Sequence, residues 1–256
     1  MKILLFKISI FLILLTGLLT AEAQTSDTIP KTGSFSGAIT LTSKGLSTFP
    51  NLTLGKPAAV FDFSVGGEKL RFEPTFRFAL DGKPWTFIFW GRYELLKTNK
   101  FQFKLGAHPA YAFKTITVNE SGSVSEIHRM HMYLAGEVAP LFFINKNIGI
   151  GPYYIYANGV SKGTVQNSNF ISFRAIFSKI SLSDKSYLKL YAQVYNLKLD
   201  DTDGFYINST LSLNHRNFPF SISSTVNQKI KSTIAGDDFL WNINLIYSFN
   251  TLYKKL

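Results

Sequence analysis

The sequence has 256 residues, a formal net charge of +11, 15% aromatic residues and no cysteine. Without cysteine there is neither a disulfide framework nor a thiolate zinc cluster, and no Pro-, Ser- or Gly-rich linker divides the chain, so a single domain is expected. A basic, aromatic-rich chain raises nucleic-acid binding as a class. The pattern speaks against it, because the aromatics alternate along extended segments instead of accompanying clustered arginines.

The chain opens with an address. Lys2 and Lys7 flank a short basic start, residues 8–19 are almost wholly apolar, and Ala21-Glu22-Ala23 gives the small-x-small pattern of a signal-peptidase site. Residues 1–23 read as a secretory signal, cut after Ala23 to leave Gln24 as the new terminus. The apolar run is shorter than the roughly 20 residues that a spanning helix needs.

Downstream, the recurring period is two, the period of a strand. Leu70-Arg71-Phe72-Glu73-Pro74-Thr75-Phe76-Arg77-Phe78 alternates cleanly, and so does the last segment, where Phe239, Trp241, Ile243, Leu245, Tyr247 and Phe249 share one face. Twelve strands are expected near 34–43, 57–65, 68–80, 85–97, 101–113, 127–144, 148–158, 169–182, 186–198, 204–214, 218–228 and 239–250. Ile148-Gly149-Ile150-Gly151-Pro152 suggests a bend or bulge. Connections after even strands are short (Gly66-Gly67, 98–100, 145–147, 183–185, 215–217). Those after odd strands are mostly long (44–56, 114–126, 159–168, 199–203, 229–238), the exception being the tight turn at 81–84.

Alternation alone does not say which face is inside. Three signs point to lipid outside. The apolar faces are rich in aromatics at both strand ends, with Trp85, Phe205, Phe239 and Trp241 near the long-loop end and Tyr93, Tyr247 and Phe249 near the other, as in the two girdles of a membrane barrel. Strands of about ten residues, tilted, span roughly 25 Å, the height of an outer-membrane apolar band. The signal directs the chain out of the cytoplasm, and strand edges in lipid must be closed.

On these features the chain resembles the outer-membrane β-barrel superfamily of Gram-negative bacteria. The resemblance implies an all-β, closed, antiparallel up-and-down transmembrane barrel of about twelve strands over 34–250, preceded by an N-terminal periplasmic segment at 24–33. It also implies an outer-membrane location, contact with membrane lipid and lipopolysaccharide, and a C-terminal strand read by the barrel-assembly machinery. Residues 251–256 follow the last aromatic of that strand, so either the strand continues to Tyr253 or a short tail hangs free.

The opposite faces then line a lumen. They carry Asp62, Arg71, Glu73, Arg77, Arg92, Glu94, Lys104, His108, Arg129, His131, Glu137, Arg174 and Lys189, while the last three strands contribute neutral residues such as Asn208, Asn227, Asn242 and Asn244. A two-residue turn at Gly66-Gly67 would set Asp62 opposite Arg71. A symmetric turn at Gly82-Lys83 would set Arg71 opposite Glu94 and Glu73 opposite Arg92. A three-residue turn at 98–100 would set Glu94 opposite Lys104. The expectation is a row Asp62, Arg71, Glu94, Lys104 of alternating sign, with Glu73–Arg92 beside it. Such pairs close a narrow interior, and the surplus of basic residues favours anions weakly if solute passes.

The functional expectation is a barrel with a narrow or closed polar lumen, structural or porin-like. One alternative is a lipid-modifying hydrolase using His108 or His131, although no serine stands at a recognisable nucleophile motif. Another is a surface-binding module acting through the long loops. Asp200-Asp201-Thr202-Asp203-Gly204 resembles part of a calcium loop but reads better as an Asx-rich turn. No cofactor, metal or nucleic-acid partner is expected.

Overall fold

The computed structural model describes residues 32–120 and 123–254. The proposed signal peptide, its cleavage residues Ala21, Ala23 and Gln24, and most of the 24–33 segment lie outside the described residues. Twelve strands follow in chain order: β1 (Thr32–Thr42), β2 (Ala58–Gly66), β3 (Leu70–Ala79), β4 (Pro84–Lys97), β5 (Phe101–Glu120), β6 (Ser123–Asn145), β7 (Ile148–Gly159), β8 (Asn167–Ser181), β9 (Ser186–Leu199), β10 (Thr202–His215), β11 (Phe220–Ser232) and β12 (Phe239–Lys254). Each pairs antiparallel with its sequence neighbours, and β1 pairs with β12, so the sheet is a closed up-and-down barrel with no free edge.

The faces are inverted relative to a soluble barrel. Ile171, Ile207, Ile222, Ile243 and Leu245 are exposed on the outer wall, whereas Ser172, Gln193, Asn208, Ser223, Asn227, Asn242 and Asn244 are buried inside. An unpaired backbone and a polar wall are tolerable only away from hydrocarbon, so this distribution places lipid outside. The outer wall is stitched by aromatic contacts such as Phe35–Phe249 at 5.4 Å and Phe220–Tyr247 at 5.1 Å.

Several boundaries differ from those read in the sequence. The expected loop 114–126 is instead the distal part of a long hairpin: β5 has 20 residues and β6 has 23, and their pairing runs out to Glu120 opposite Ser123. A tilted spanning strand needs only about 9–11 residues, so this hairpin projects well past the rim. The expected loop 199–203 shrinks to a turn at 200–201, with Asp200 in the left-handed region at φ 48°. The C-terminal tail expected at 251–256 is strand as far as Lys254, with Tyr253 opposite Gly33.

Strand register also departs from the expected row. The β2–β3 turn is not centred on Gly66-Gly67. The Gly67 amide donates to the Leu70 carbonyl at 3.0 Å, and Gly66 lies opposite Arg71 so closely that a Cβ would sit 2.3 Å from the Leu70 oxygen. Asp62 therefore faces Thr75, not Arg71, and accepts a hydrogen bond from its hydroxyl at 2.7 Å. Across β3–β4, Arg71 faces Arg92 in place of the expected Glu94, and Glu73 faces Trp90, so the expected Glu73–Arg92 ion pair forms diagonally and not directly across the ladder. Glu94 does lie opposite Lys104, with a separation of 3.9 Å between the charged atoms.

Candidate functional site: an ionic septum and a plugged mouth

The barrel interior is crossed by one connected polar network. On β4, the Arg92 guanidinium donates from Nε to Glu137 Oε1 on β6 at 2.6 Å and from Nη2 to Oε2 at 3.3 Å, while Nη1 pairs with Glu73 on β3. The Tyr153 hydroxyl on β7 donates to the same Glu137 carboxylate. Glu73 also accepts from Ser64 at 3.1 Å, and Arg71 donates to Ser64 at 2.8 Å and to Ser34 at 2.8 Å. The network thus runs from β1 to β7, and Arg174 on β8 extends it by lying 4.6 Å from the centroid of the Tyr153 ring.

The missing strand in this sequence of contacts is β5, and its contribution is an absence. Gly106 stands between Arg92 and Glu137 in the ladder. A Cβ there would lie 2.7 Å from Glu137 Oε1. The glycine leaves the gap through which an arginine and a carboxylate two strands apart can meet. The Glu137 side chain keeps only 2% of its exposure, against 25% for Glu73 and 26% for Arg92. It is the buried charge of the group, and it is held by a bidentate cation and a phenol, as a desolvated carboxylate requires.

Arg92 separates two spaces. A cavity of about 350 Å³ on the long-loop side is lined by Arg77, Trp90, Arg92, His108, Tyr153, Arg174 and neighbours. A second, of about 330 Å³, lies along β1–β4 and is lined by Ser36, Asp62, Ser64, Glu73, Thr75 and Arg92. Arg92 borders both, while clamped to Glu73 and Glu137.

The long-loop end is closed separately. Residues 43–57, with a single 3-10 turn at Pro50–Leu52, fold into the mouth. Phe49 packs on Phe170 at 5.7 Å, Phe170 on Tyr195 at 4.9 Å and Tyr195 on Tyr206 at 4.9 Å, with Leu197, Leu199 and Ile234 completing a buried cluster. Trp85 fastens the loop by donating from Nε1 to the Leu52 carbonyl at 2.8 Å.

Trp85 is the one expected girdle residue that faces inward, at 4% exposure. The cause is local. The β3–β4 register shifts between Arg77 and Phe78, so that Arg77 faces Thr86 and Phe78 faces Pro84, leaving Trp85 as the extra residue of a bulge. Pro84 has no amide to continue the ladder. The inserted residue turns in, over Arg77 at 5.2 Å. Tyr93, Phe205, Phe239, Trp241 and Tyr247 are exposed, and Phe249 lies against Phe35 and Phe63.

The remaining expected lumen residues are scattered. His108 lies 4.0 Å from the Trp90 ring and lines the larger cavity. His131 is buried, and the Nδ1 atoms of both histidines are buried without a hydrogen-bond partner. Arg129 is exposed on the projecting hairpin opposite Lys114. Lys189 is exposed at the short-turn end beside Tyr187. Among the described residues the one histidine–hydroxyl pair is His128 with Thr115, at 3.1 Å and exposed, with no carboxylate attached. The acidic turn is structural: Asp200 accepts from the Gln166 and Asn167 amides at 2.9 and 2.7 Å, which holds its carboxyl below the usual carboxylate range. Asp237 and Asp238 pair with Lys44 and Lys229.

Glu73, Arg92 and Glu137 share the inward parity of their strands, but the bridge over Gly106 was not anticipated. Nor were the roles of Trp90, Tyr153 and the plug. The parity that marks Arg92 and Glu94 as inward marks Trp90 too, and that signal was available.

A closed barrel with an apolar exterior and a polar interior, whose first strand begins and last strand ends on the short-turn side, has the architecture of an outer-membrane β-barrel. No family model and no curated protein matches the sequence. Solved structures do. A chain from work on in-meso crystallization of membrane proteins matches with a TM-score of 0.50 and 10% identity, over 85% of this chain and 83% of that one. LpxR from Salmonella typhimurium matches with a TM-score of 0.46 and 11% identity, over 84% and 99%. An outer membrane channel from Pseudomonas putida F1 gives 0.45 and 9%, over 90% and 98%. At these identities the likeness is one of fold.

Proposed function

We propose that this protein is a barrel whose lumen rests shut, serving a structural or narrow passive-diffusion role rather than that of an open pore. The observation that carries this reading is Arg92, which borders both interior spaces while bound to Glu73 and Glu137. Residues 43–57 add a second closure at the opposite end. A hydrolase reading has no hydroxyl bonded to His108 or His131 to support it among the described residues.

Any solute that does pass is expected to be anionic, because the wall carries more arginine and lysine than carboxylate. The Lys114–Arg129 pair on the projecting hairpin suits lipopolysaccharide phosphates. The alternating face of β12 suits recognition by the barrel-assembly machinery.

Planar-bilayer recording tests the closed lumen. The wild-type chain should be silent or open rarely, and Arg92→Ala should introduce discrete steps, with cold gel mobility confirming that the variant is folded. Frequent large openings of the wild type would end this reading.

A further inference from the structure

The larger cavity holds two arginines that the carboxylates of the septum do not neutralise. Arg77 on β3 and Arg174 on β8 project into it from well-separated walls, and the Nε atom of each is buried without a hydrogen-bond partner. Neither forms an ion pair among the described residues. Arg92 is neutralised by Glu73 and Glu137, and Asp62, whose charge is felt by Arg77, forms no ion pair with it, being bonded to Thr75 and lining the other cavity. No carboxylate lines the larger cavity. Arg174 lies 4.6 Å from the centroid of the Tyr153 ring and reaches the Pro140 carbonyl at 3.5 Å, a weak contact for a guanidinium.

Two half-buried guanidiniums whose Nε atoms are buried without a partner, in a cavity with no carboxylate on its wall, favour an added anion. The rest of the wall says what the charge is attached to. Trp90, Tyr153, Phe170 and Tyr191 present rings, and Ala110, Ala135 and Ala157 keep the space between them open. At about 350 Å³ the cavity falls at the lower end of the range of about 300–1,000 Å³ typical of small-molecule sites. Arginine matches a carboxylate bidentately, whereas the aromatic walls match a flat apolar body.

We infer that this cavity is a binding site for a small aromatic carboxylate, held at its charged end by Arg77 or Arg174 and covered by residues 43–57. The inference depends on where these side chains point, not on whether the septum opens. A silent barrel can bind, and a conducting one can fail to.

The test is titration of the refolded full-length chain in detergent with benzoate, followed by tryptophan fluorescence, since Trp90 lines the cavity. Saturable quenching is expected, with benzyl alcohol and inorganic phosphate each at least tenfold weaker, because one lacks the charge and the other the ring. Arg77→Gln and Arg174→Gln together should weaken benzoate at least tenfold. Lys189→Gln, at the far end, should leave it unchanged. Folding is checked by heat-dependent gel mobility, and if the Gln pair fails to fold, the Lys pair at the same positions substitutes and should retain binding within about tenfold of wild type. Equal affinity for benzyl alcohol, equal affinity for phosphate, or undiminished benzoate binding in the folded double variant would each overturn the assignment.

Discussion

Replacing Arg92 by methionine keeps the stem and deletes the guanidinium, which strands Glu137. That carboxylate retains 2% of its exposure and would keep only the Tyr153 hydroxyl as a partner. Breaking a buried ion pair from one side costs about 3–5 kcal/mol. The Glu73 end adds little, because its side chain and that of Arg92 are each about a quarter exposed and water in the second cavity can replace the lost bond. The expected loss is therefore about 3 kcal/mol, the lower end of the range. Adding Glu137→Leu removes the stranded charge and leaves only the Tyr153 hydroxyl unpaired, a cost of about 1–3 kcal/mol. The double variant should then be no less stable than Arg92→Met alone. Urea unfolding of the barrel in lipid vesicles, followed by tryptophan emission, gives the two free energies from midpoint and slope. A loss under about 1 kcal/mol in the single variant, or a double variant that loses the sum of both singles, would refute the coupling of the septum.

Gly106→Ala should push Glu137 off Arg92 and cost about 1–3 kcal/mol by overpacking, whereas Gly91→Ala, with nothing nearer to its Cβ than 3.8 Å, should be much milder in the same urea assay. Asp200 is held ionised by two backbone amides, so its contribution is present above the unfolded carboxylate value of 3.8 and is lost as pH falls further. Protection of the Gln166 and Asn167 amides from hydrogen exchange, taken relative to their intrinsic rates, should fall as pH drops below 3.8 in wild type, and be low throughout in Asp200→Ala. Leu245→Arg places a cation on the outer wall and should cost about 2–4 kcal/mol in vesicles, whereas Asn244→Arg, pointing into the polar interior, should cost less.

Architecture was legible because period two and loop length are both written locally. Each strand declares its faces, and short turns after even strands declare the end at which the first strand begins and the last one ends. Register was less legible for a reason built into the pleat. Arg71 faces Arg92 instead of Glu94, a slip of two, and Asp62 faces Thr75 instead of Arg71, a slip of four. Even slips keep every side chain on its proper face, so hydrophobic patterning does not penalise them. Bulges have the opposite effect: the one at Arg77/Phe78 reverses parity beyond it and carries Trp85 from the expected girdle to the interior.

The Gly66-Gly67 pair invited a two-residue turn, but the close approach of Gly66 to Leu70 explains the glycine differently. The plug was illegible because Phe49, Pro50 and Leu52 have no period; only the sheltered mouth gives them an apolar destination. The bridge from Arg92 to Glu137 depends on a residue with no side chain, and a glycine in a strand does not announce what will fill its space.

The seam between β1 and β12 governs how the protein can form. Asn242 Nδ2 donates to Thr42 Oγ1 at 3.1 Å across 200 positions of sequence. Every hairpin elsewhere in the barrel can zip from its own turn, but this join has no turn to start from. Its loop-closure entropy is met only when the preceding eleven strands already curve enough to bring their ends together. High contact order of this kind slows folding. Until the last strand docks, β1 carries an unsatisfied edge that must be shielded from both lipid and other chains.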